Sequence, residues 1–477
     1  MLFSSIIFIA YFLPVFLFFY YLSGMRIAVL LTGSVVFYVW GEGGYVFLLA
    51  ALIVANYFAA HLIARGESSA KFWLIACLVL DLGVLGLFKY ADFLVANVNQ
   101  LSGAELVRPF GLELPLGISF FTFQLVSYIV DVYRREVEPE RKPLAFATYI
   151  LMFPHLIAGP IVRYANIREE LERKGRHRKV GLGLQYFIVG LCQKVLIANS
   201  MAPLADQAFS MPGETLAAGS AWLGIGAYTL QIYFDFCGYS NMAIGLAFLL
   251  GFTFPKNFDY PYAARSVADF WRRWHMSLSF WFRDYVYIPL GGNRGSRLRT
   301  LFNLLFVFFL TGLWHGAAWN FIFWGLFHGA FLLLERVFLG EHLRRAGKVV
   351  PWLYTMLVVM VGWVFFRADS FNHALLYLQG MMGLGGLAPL PIEMSLLVTP
   401  EVLVALFFGI LFSFPVLPKA LDLLSRPCID RSRQIVEQRL DTLHVHALPV
   451  GLLLLGFGLS CAMLASTTLN PFLYFRF

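Results

Sequence analysis

Apolar residues fall in long blocks along this chain, separated by short polar joints. Residues 3–21, 27–40, 45–63 and 72–88 are four such blocks, after which Lys89 and Asp92 mark an interface. Blocks of that length predict helices that cross a bilayer, since about 20 apolar residues span its hydrocarbon. The next block, LPLGISFFTFQLVSYIVDVYR (114–134), opens with Pro115 and Gly117, which break a regular helix and predict a bent or re-entrant start. FATYILMFPHLIAGPIVRY (146–164) carries Pro154, Gly159 and Pro160 around His155. Irregular backbone there requires burial in protein or a cavity wall. Residues 180–200 and 222–252 follow, the second with Asp235 and a polar run at 237–241 inside it. Blocks 352–366, 374–382, 402–417 and 447–464 are plain apolar spans. The pattern predicts an all-α polytopic membrane protein with roughly 10–12 transmembrane helices, some short or broken, in one integral domain over the whole chain. No periodic repeat or low-complexity tract interrupts it.

Two features between residues 233 and 331 depart from plain spans. A dense aromatic and arginine segment, FWRRWHMSLSFWFRDY (270–285), lies between apolar blocks and predicts a helix at the cytoplasmic interface. The apolar block 300–334 is bracketed by Arg299 and Arg336, so both ends read as cytoplasmic. It is too long for one simple crossing and barely long enough for two short ones. It predicts either a hairpin of two short helices turning near GLWHGAAWN (312–320) or a single broken helix. Either arrangement buries His315.

Composition sharpens this picture. Hydrophobic residues make up 59% and charged ones 13%, about half the charged share of a soluble domain. The net charge of +8 comes mostly from basic clusters at 163–179, 265–299, 336–348 and 419–439, which the positive-inside rule puts on the cytoplasmic side. Residues 201–220 and 384–400 contain no Lys or Arg and suit the opposite face. Basic residues spread over helix ends argue against a nucleic-acid partner. The five cysteines have no metal-ligand spacing and read as packing residues. The first apolar run lacks a basic region and a cleavage site, and reads as a membrane helix.

A titratable side chain deep in an apolar block marks a functional candidate. His315 is the first, walled by Trp314 and Trp319, with Gly312 and Gly316 permitting close approach. It reads as a general base or polarising group, or else as a packing histidine bonded to a carbonyl. His275 is the second, within a basic aromatic surround of Arg272, Arg273, Trp274 and Arg283. That surround is either an interface belt or a vestibule for an anionic, phosphate-bearing donor. His155 and His328 are weaker; on one continuous helix His328 would lie about 140° round from His315. Histidines 61, 177, 342, 373, 444 and 446 read as loop or interface residues. Asp81 and Asp131 are noted, and Asp235 reads as structural, a helix-end cap or a partner for a histidine. No P-loop, GxSxG, HExxH or dinucleotide fingerprint occurs in a supporting context, and no metal set is predicted.

The elements LPLGISFFTFQLVSYIVDVYR, FPHLIAGPIVR, YFDFCGYSNMAIGLAFLLGF, SVADFWRRWHMSLSFWFRDYVYIPLGGNRGS and GLWHGAAWNFIFWGLFHG, with the opening MLFSS, cover most of residues 1–340 in order. Together they resemble the membrane-bound O-acyltransferase family, and within it the bacterial alginate O-acetyltransferase branch. The resemblance implies a helical bundle around a central tunnel, with the motif-bearing core at about 114–337. It maps the family's principal catalytic histidine onto His315 and a second motif histidine onto His275. It also implies a bacterial inner-membrane enzyme with no permanently bound cofactor. Acetyl groups would pass from a cytoplasmic donor, acetyl-CoA, to an exported transferase working with the polysaccharide secretion machinery. Acetylation of bacterial cellulose is the nearest rival reading, and peptidoglycan O-acetylation and teichoic-acid D-alanylation, which use similar membrane folds, rank below it. A transporter or secretion scaffold is the rival of another class.

Overall fold

A computed structural model describes residues 2–66, 68–172, 179–213, 216–386, 389–416 and 448–466. The basic cluster at 419–439, Cys428 and histidines 177, 444 and 446 lie outside these residues. Every regular element among the described residues is helical. The chain divides into two compact units, residues 1–179 with 246–255, and residues 180–245 with 256–477.

The first unit holds α1 (Ile7–Leu22), α2 (Arg26–Glu42), α3 (Tyr45–Arg65), α4 (Ala70–Ser102), α5 (Ile118–Tyr133), α6 (Pro143–Leu151), α7 (Phe153–Leu156) and α8 (Tyr164–Glu172). The expected break before α5 is present: the helix begins only at Ile118, after Gly117 at φ +78°. A side chain at Gly117 would collide with the Leu156 carbonyl, so the close approach as well as the dihedral requires glycine. After α7 the chain is irregular, yet residues 157–162 are all buried, as backbone at membrane depth demands. Asp81 is buried and accepts a 2.9 Å hydrogen bond from Asn56, which joins α4 to α3.

The second unit is built on α9 (Val180–Ser210), with a π-helical turn at Gln193–Ala198, and α10 (Ala218–Leu250), whose last residues belong to the first unit. The most apolar window of α10 is 100% buried, so this helix is the core of the bundle and not a lipid-facing span. Glycines let α9 meet it closely. A Cβ on Gly238 would stand 2.6 Å from the Gly190 carbonyl oxygen, and one on Gly245 2.6 Å from that of Gly183. Inside a bilayer such close packing, and not the hydrophobic effect, is the force that holds helices together. One buried ion pair reinforces the contact: Lys194 Nζ in the π turn lies 2.7 Å from Asp235 Oδ1 and donates at 2.7 Å to Asn199 Oδ1.

After α10 come α11 (Val267–Arg273), α12 (Met276–Phe282), α13 (Arg297–His315), α14 (Trp319–Arg345), α15 (Val349–Arg367), α16 (Phe371–Met381), α17 (Ile392–Leu396), α18 (Pro400–Phe412) and α19 (Val450–Ser466). Block 300–334 is a hairpin, as the first alternative expected, turning after His315. Its helices are not short, however. They extend into the flanking polar residues and reach 19 and 27 residues. Gly312 and Gly325 form the crossing point, where a Cβ on either would strike the other helix's backbone.

Among the described residues seven helices are long and apolar enough to cross a membrane, and four more apolar helices have 10–17 residues. The seven make the protein polytopic and all-α, as expected; a total of 10–12 crossings would need the shorter four as well.

Candidate active site

The segment predicted as one interfacial helix is two. Ser266 caps α11 by accepting from the Asp269 N–H at 3.0 Å, and Arg272 and Arg273 occupy the last turn, where cations suit the helix dipole. Trp274 is extended and His275 sits at φ +45°, a left-handed conformation that non-glycine residues rarely adopt. The break separates α11 from α12 and turns the imidazole inward, leaving it 1% exposed.

Asn257 holds this strained turn. Its carbonyl oxygen accepts from the Met276 N–H at 2.9 Å, and its side-chain Oδ1 accepts from the Ser277 N–H at 3.3 Å and the Ser277 hydroxyl at 2.9 Å. Because a backbone N–H can only donate, the amide atom facing it is the oxygen. His275 Nδ1, 3.1 Å from the same oxygen, must then carry the proton. The lone pair of the neutral ring is therefore at Nε2. Asn257 Nδ2 donates onward to the Ser240 hydroxyl of α10 at 3.0 Å. The ring of Phe236, also on α10, meets His275 edge-on at 4.7 Å. His275 lies outside the membrane-spanning helices, and burial pushes its pKa down to about 3, so the ring is uncharged at neutral pH.

His315 ends α13 and is 7% exposed. Its ring contacts Trp314 at 4.9 Å, Trp324 at 5.0 Å and Phe366 at 5.1 Å. Trp314 also lies 6.1 Å from the His275 ring. One indole thus touches both sequence-predicted histidines, which stand forty residues apart in the chain. The surrounding aromatic chamber includes Trp363, 6.1 Å from Trp324 and 4.9 Å from Trp274.

His328 is closer to this chamber than the single-helix geometry implied. That calculation assumed one continuous helix, and the turn after His315 removes the assumption. Trp324 contacts His328 at 5.2 Å as well as His315 at 5.0 Å, and Trp271 meets His328 at 5.1 Å. His155 belongs to the first unit, where its Nε2 lies 2.7 Å from the Tyr149 carbonyl and its ring stacks on Phe254 at 5.3 Å. Asp235 lies within α10, not at its end, and Lys194 Nζ stands 2.7 Å from its Oδ1.

The four donor-vestibule residues occupy different settings. Arg272 lines a surface cleft. Arg273 is paired with Asp269 at 3.1 Å, and its guanidinium lies 3.8 Å from Asp259. Arg283 is paired with Asp284 at 2.6 Å and lies over Phe280. Trp274 is 3% exposed, packed within the aromatic core. Among the described residues no cluster of three His, Cys, Asp or Glu side chains is arranged to hold a metal.

Sequence reasoning passed over Asn257, Trp324 and Lys194. Lys194 did carry a signal, a lone cation in the apolar run LCQKVLIANS. Asn257 carried none, because it acts through a turn whose left-handed residue is neither Gly nor Asn.

The family model described as MBOAT, membrane-bound O-acyltransferase, matches residues 16–368. The chain is 40% identical to "Probable alginate O-acetylase AlgI" of Azotobacter vinelandii over 100% of both chains. It is 44% identical to the Pseudomonas aeruginosa protein of the same name, over 81% of this chain and 75% of that one. It is also 38% identical to a Helicobacter pylori peptidoglycan O-acetyltransferase, over 75% of this chain and 74% of that one. A helical membrane bundle, a match spanning both compact units and relatives that are acyl-transferring enzymes lead to one assignment: the chain is an acyltransferase of the membrane-bound O-acyltransferase family.

Proposed function

We propose that this enzyme moves acetyl groups from a cytoplasmic donor, acetyl-CoA, across the bacterial inner membrane for O-acetylation of an exopolysaccharide, and that the polymer is alginate. Full-length similarity to proteins named as alginate O-acetylases supports the polymer assignment. The two compact units act as one acyltransferase domain, a reading supported by a family match that runs through both. The single observation that carries the proposal is the meeting of His275 and His315 at Trp314.

In this reading the donor arrives along the basic segment bearing Arg272, Arg273, Trp274 and Arg283. His315 takes the proton of an acceptor hydroxyl as its oxygen attacks the thioester carbonyl. The carbon–sulfur bond breaks and the proton held by His315 passes to the departing thiolate, which leaves the imidazole neutral again. An acyl-imidazole on His315 would pass through the same residue in two steps. His275 presents Nε2 in a fixed tautomer because Asn257 holds Nδ1–H. The aromatic walls exclude water, which protects the thioester from hydrolysis. The acceptor is an exported transferase that works with the secretion machinery.

The test uses a host lacking the gene, complemented with wild type or His315→Ala at equal membrane expression. Exported polymer stays normal while its base-labile acetate falls by about 100-fold or more. Loss of the polymer itself would instead identify a transporter or scaffold. Normal alginate acetylation without the gene, with acetate missing from cellulose or peptidoglycan, would reassign the polymer.

A further inference from the structure

In the second unit a cleft of about 680 Å³ opens where α11 begins and α14 ends. Arg265 and Arg272 reach it from the α11 side, and Arg336 and Arg344 from α14; all four are exposed. Two acids also line it, and Glu335 offsets part of the Arg272 charge. The Glu335 carboxylate accepts the Val267 and Ala268 N–H groups at 2.6 and 3.0 Å, and Asp269 accepts from Arg273 at 3.1 Å. Among the described residues no ion pair neutralises Arg265, Arg336 or Arg344, although Arg336 donates to the Asn293 amide oxygen at 3.3 Å. The cleft therefore presents surplus guanidinium charge, whose forked donors match phosphate oxygens.

Its apolar side says which phosphate. Leu304, Leu332 and Leu343 form part of the lining. On the same two helices, close in sequence to lining residues, Leu334, Phe338 and Leu353 are 42%, 62% and 53% exposed, an apolar surface suited to hydrocarbon. A soluble phosphate ester would use the arginines and leave those side chains unused. We propose that this cleft binds the phosphate headgroup of an anionic phospholipid of the cytoplasmic leaflet, with acyl chains along the exposed faces of α14 and α15. Basic pockets between helices at that membrane face have the chemistry for such headgroups. Glu335 braces the cleft from within by tying α14 to the start of α11. A bound headgroup adds a second tie between the same two elements.

The proposal does not rest on the chemistry at His315, although Arg272 belongs both to the cleft and to the segment read as the donor's approach, so His315→Ala must bind the lipid as wild type does. The full chain is reconstituted in phosphatidylcholine nanodiscs with increasing phosphatidylglycerol, and the retained phosphatidylglycerol is counted by mass spectrometry. The melting temperature is followed in parallel. Wild type retains phosphatidylglycerol and melts higher with it. Arg336→Gln/Arg344→Gln weakens that dependence about twenty-fold, as two arginines near an anionic surface would. Arg265→Gln, on the other wall, weakens it about fivefold and serves if the double variant does not insert. Arg297→Gln, an exposed cation outside the cleft, changes it less than about twofold. Three results would overturn the assignment. The first is wild type with no preference for phosphatidylglycerol over phosphatidylcholine. The second is Arg297→Gln weakening retention as much as the cleft variants, which would mean diffuse attraction. The third is coenzyme A displacing the lipid and binding through Arg336 and Arg344, which would make the cleft a donor site.

Discussion

Asn257 decides what His275 can do. Its Oδ1 accepts from three groups, and its backbone carbonyl closes the turn that puts His275 at positive φ. Asn257→Ala leaves the Nδ1–H and the Ser277 donors without their acceptor, at about 1–3 kcal/mol. Acetylation should fall about 5- to 100-fold while the protein still inserts, measured as base-labile acetate per unit of membrane protein. Unchanged acetate would mean that the fixed tautomer is irrelevant. A second expectation concerns charge. With its pKa pushed down to about 3, His275 is neutral above roughly pH 5 and gains charge only in stronger acid. His275→Gln should lower the rate yet leave the acid limb of the pH–rate profile in place between pH 5 and 8; a displaced limb would show that His275 titrates there. At this scale the two histidines were legible because each interrupts an aromatic or apolar run. Asn257 was not, since its importance comes from three bonds formed only after the chain turns back on itself.

Among the elements, α9 and α10 form the contact on which the site rests, because Phe236 and Ser240 of α10 touch His275 and Asn257. Gly238→Val drives a side chain into the Gly190 carbonyl and should remove most folded protein, read by detergent-resistant monodisperse elution. Gly226→Ala, on the same helix where a Cβ meets nothing within 4 Å, should be tolerated. The ion pair gives a sharper test. Lys194→Met strands the buried Asp235 carboxylate, a loss of about 3–5 kcal/mol, and Lys194→Met/Asp235→Leu should recover much of it. A double variant as unstable as the single one would show that the charges do more than neutralise each other. The hairpin turn at 312–320 was readable from the basic residues at both ends of one long apolar block. The break at His275 was not, because no Gly or Pro announces it. The separation expected between His315 and His328 failed for the complementary reason: periodicity holds only within one helix, and Trp324 bridges the two rings across the turn.

For the whole molecule, hydrophobic blocks predicted a polytopic helical protein, and the seven long apolar helices among the described residues agree. What the blocks could not indicate is which helix is central. α10 has the weakest hydropathy of the long spans, with α13 next, yet its window is wholly buried. Its polar run at 237–241 needs protein partners, and Asn241 donates to Gln193 at 2.7 Å. The family was legible because motifs of ten to thirty residues occur in order, a likeness the family model and the alginate O-acetylase relatives bear out. The central claim is that acyl transfer passes through His315. It is tested most directly in a gene-deleted host by quantifying exported polymer and its base-labile acetate, with wild type or His315→Ala present at matched membrane levels. The account predicts undiminished polymer that carries about 1% or less of the wild-type acetate. Wild-type acetate on the polymer of the His315→Ala strain would contradict it.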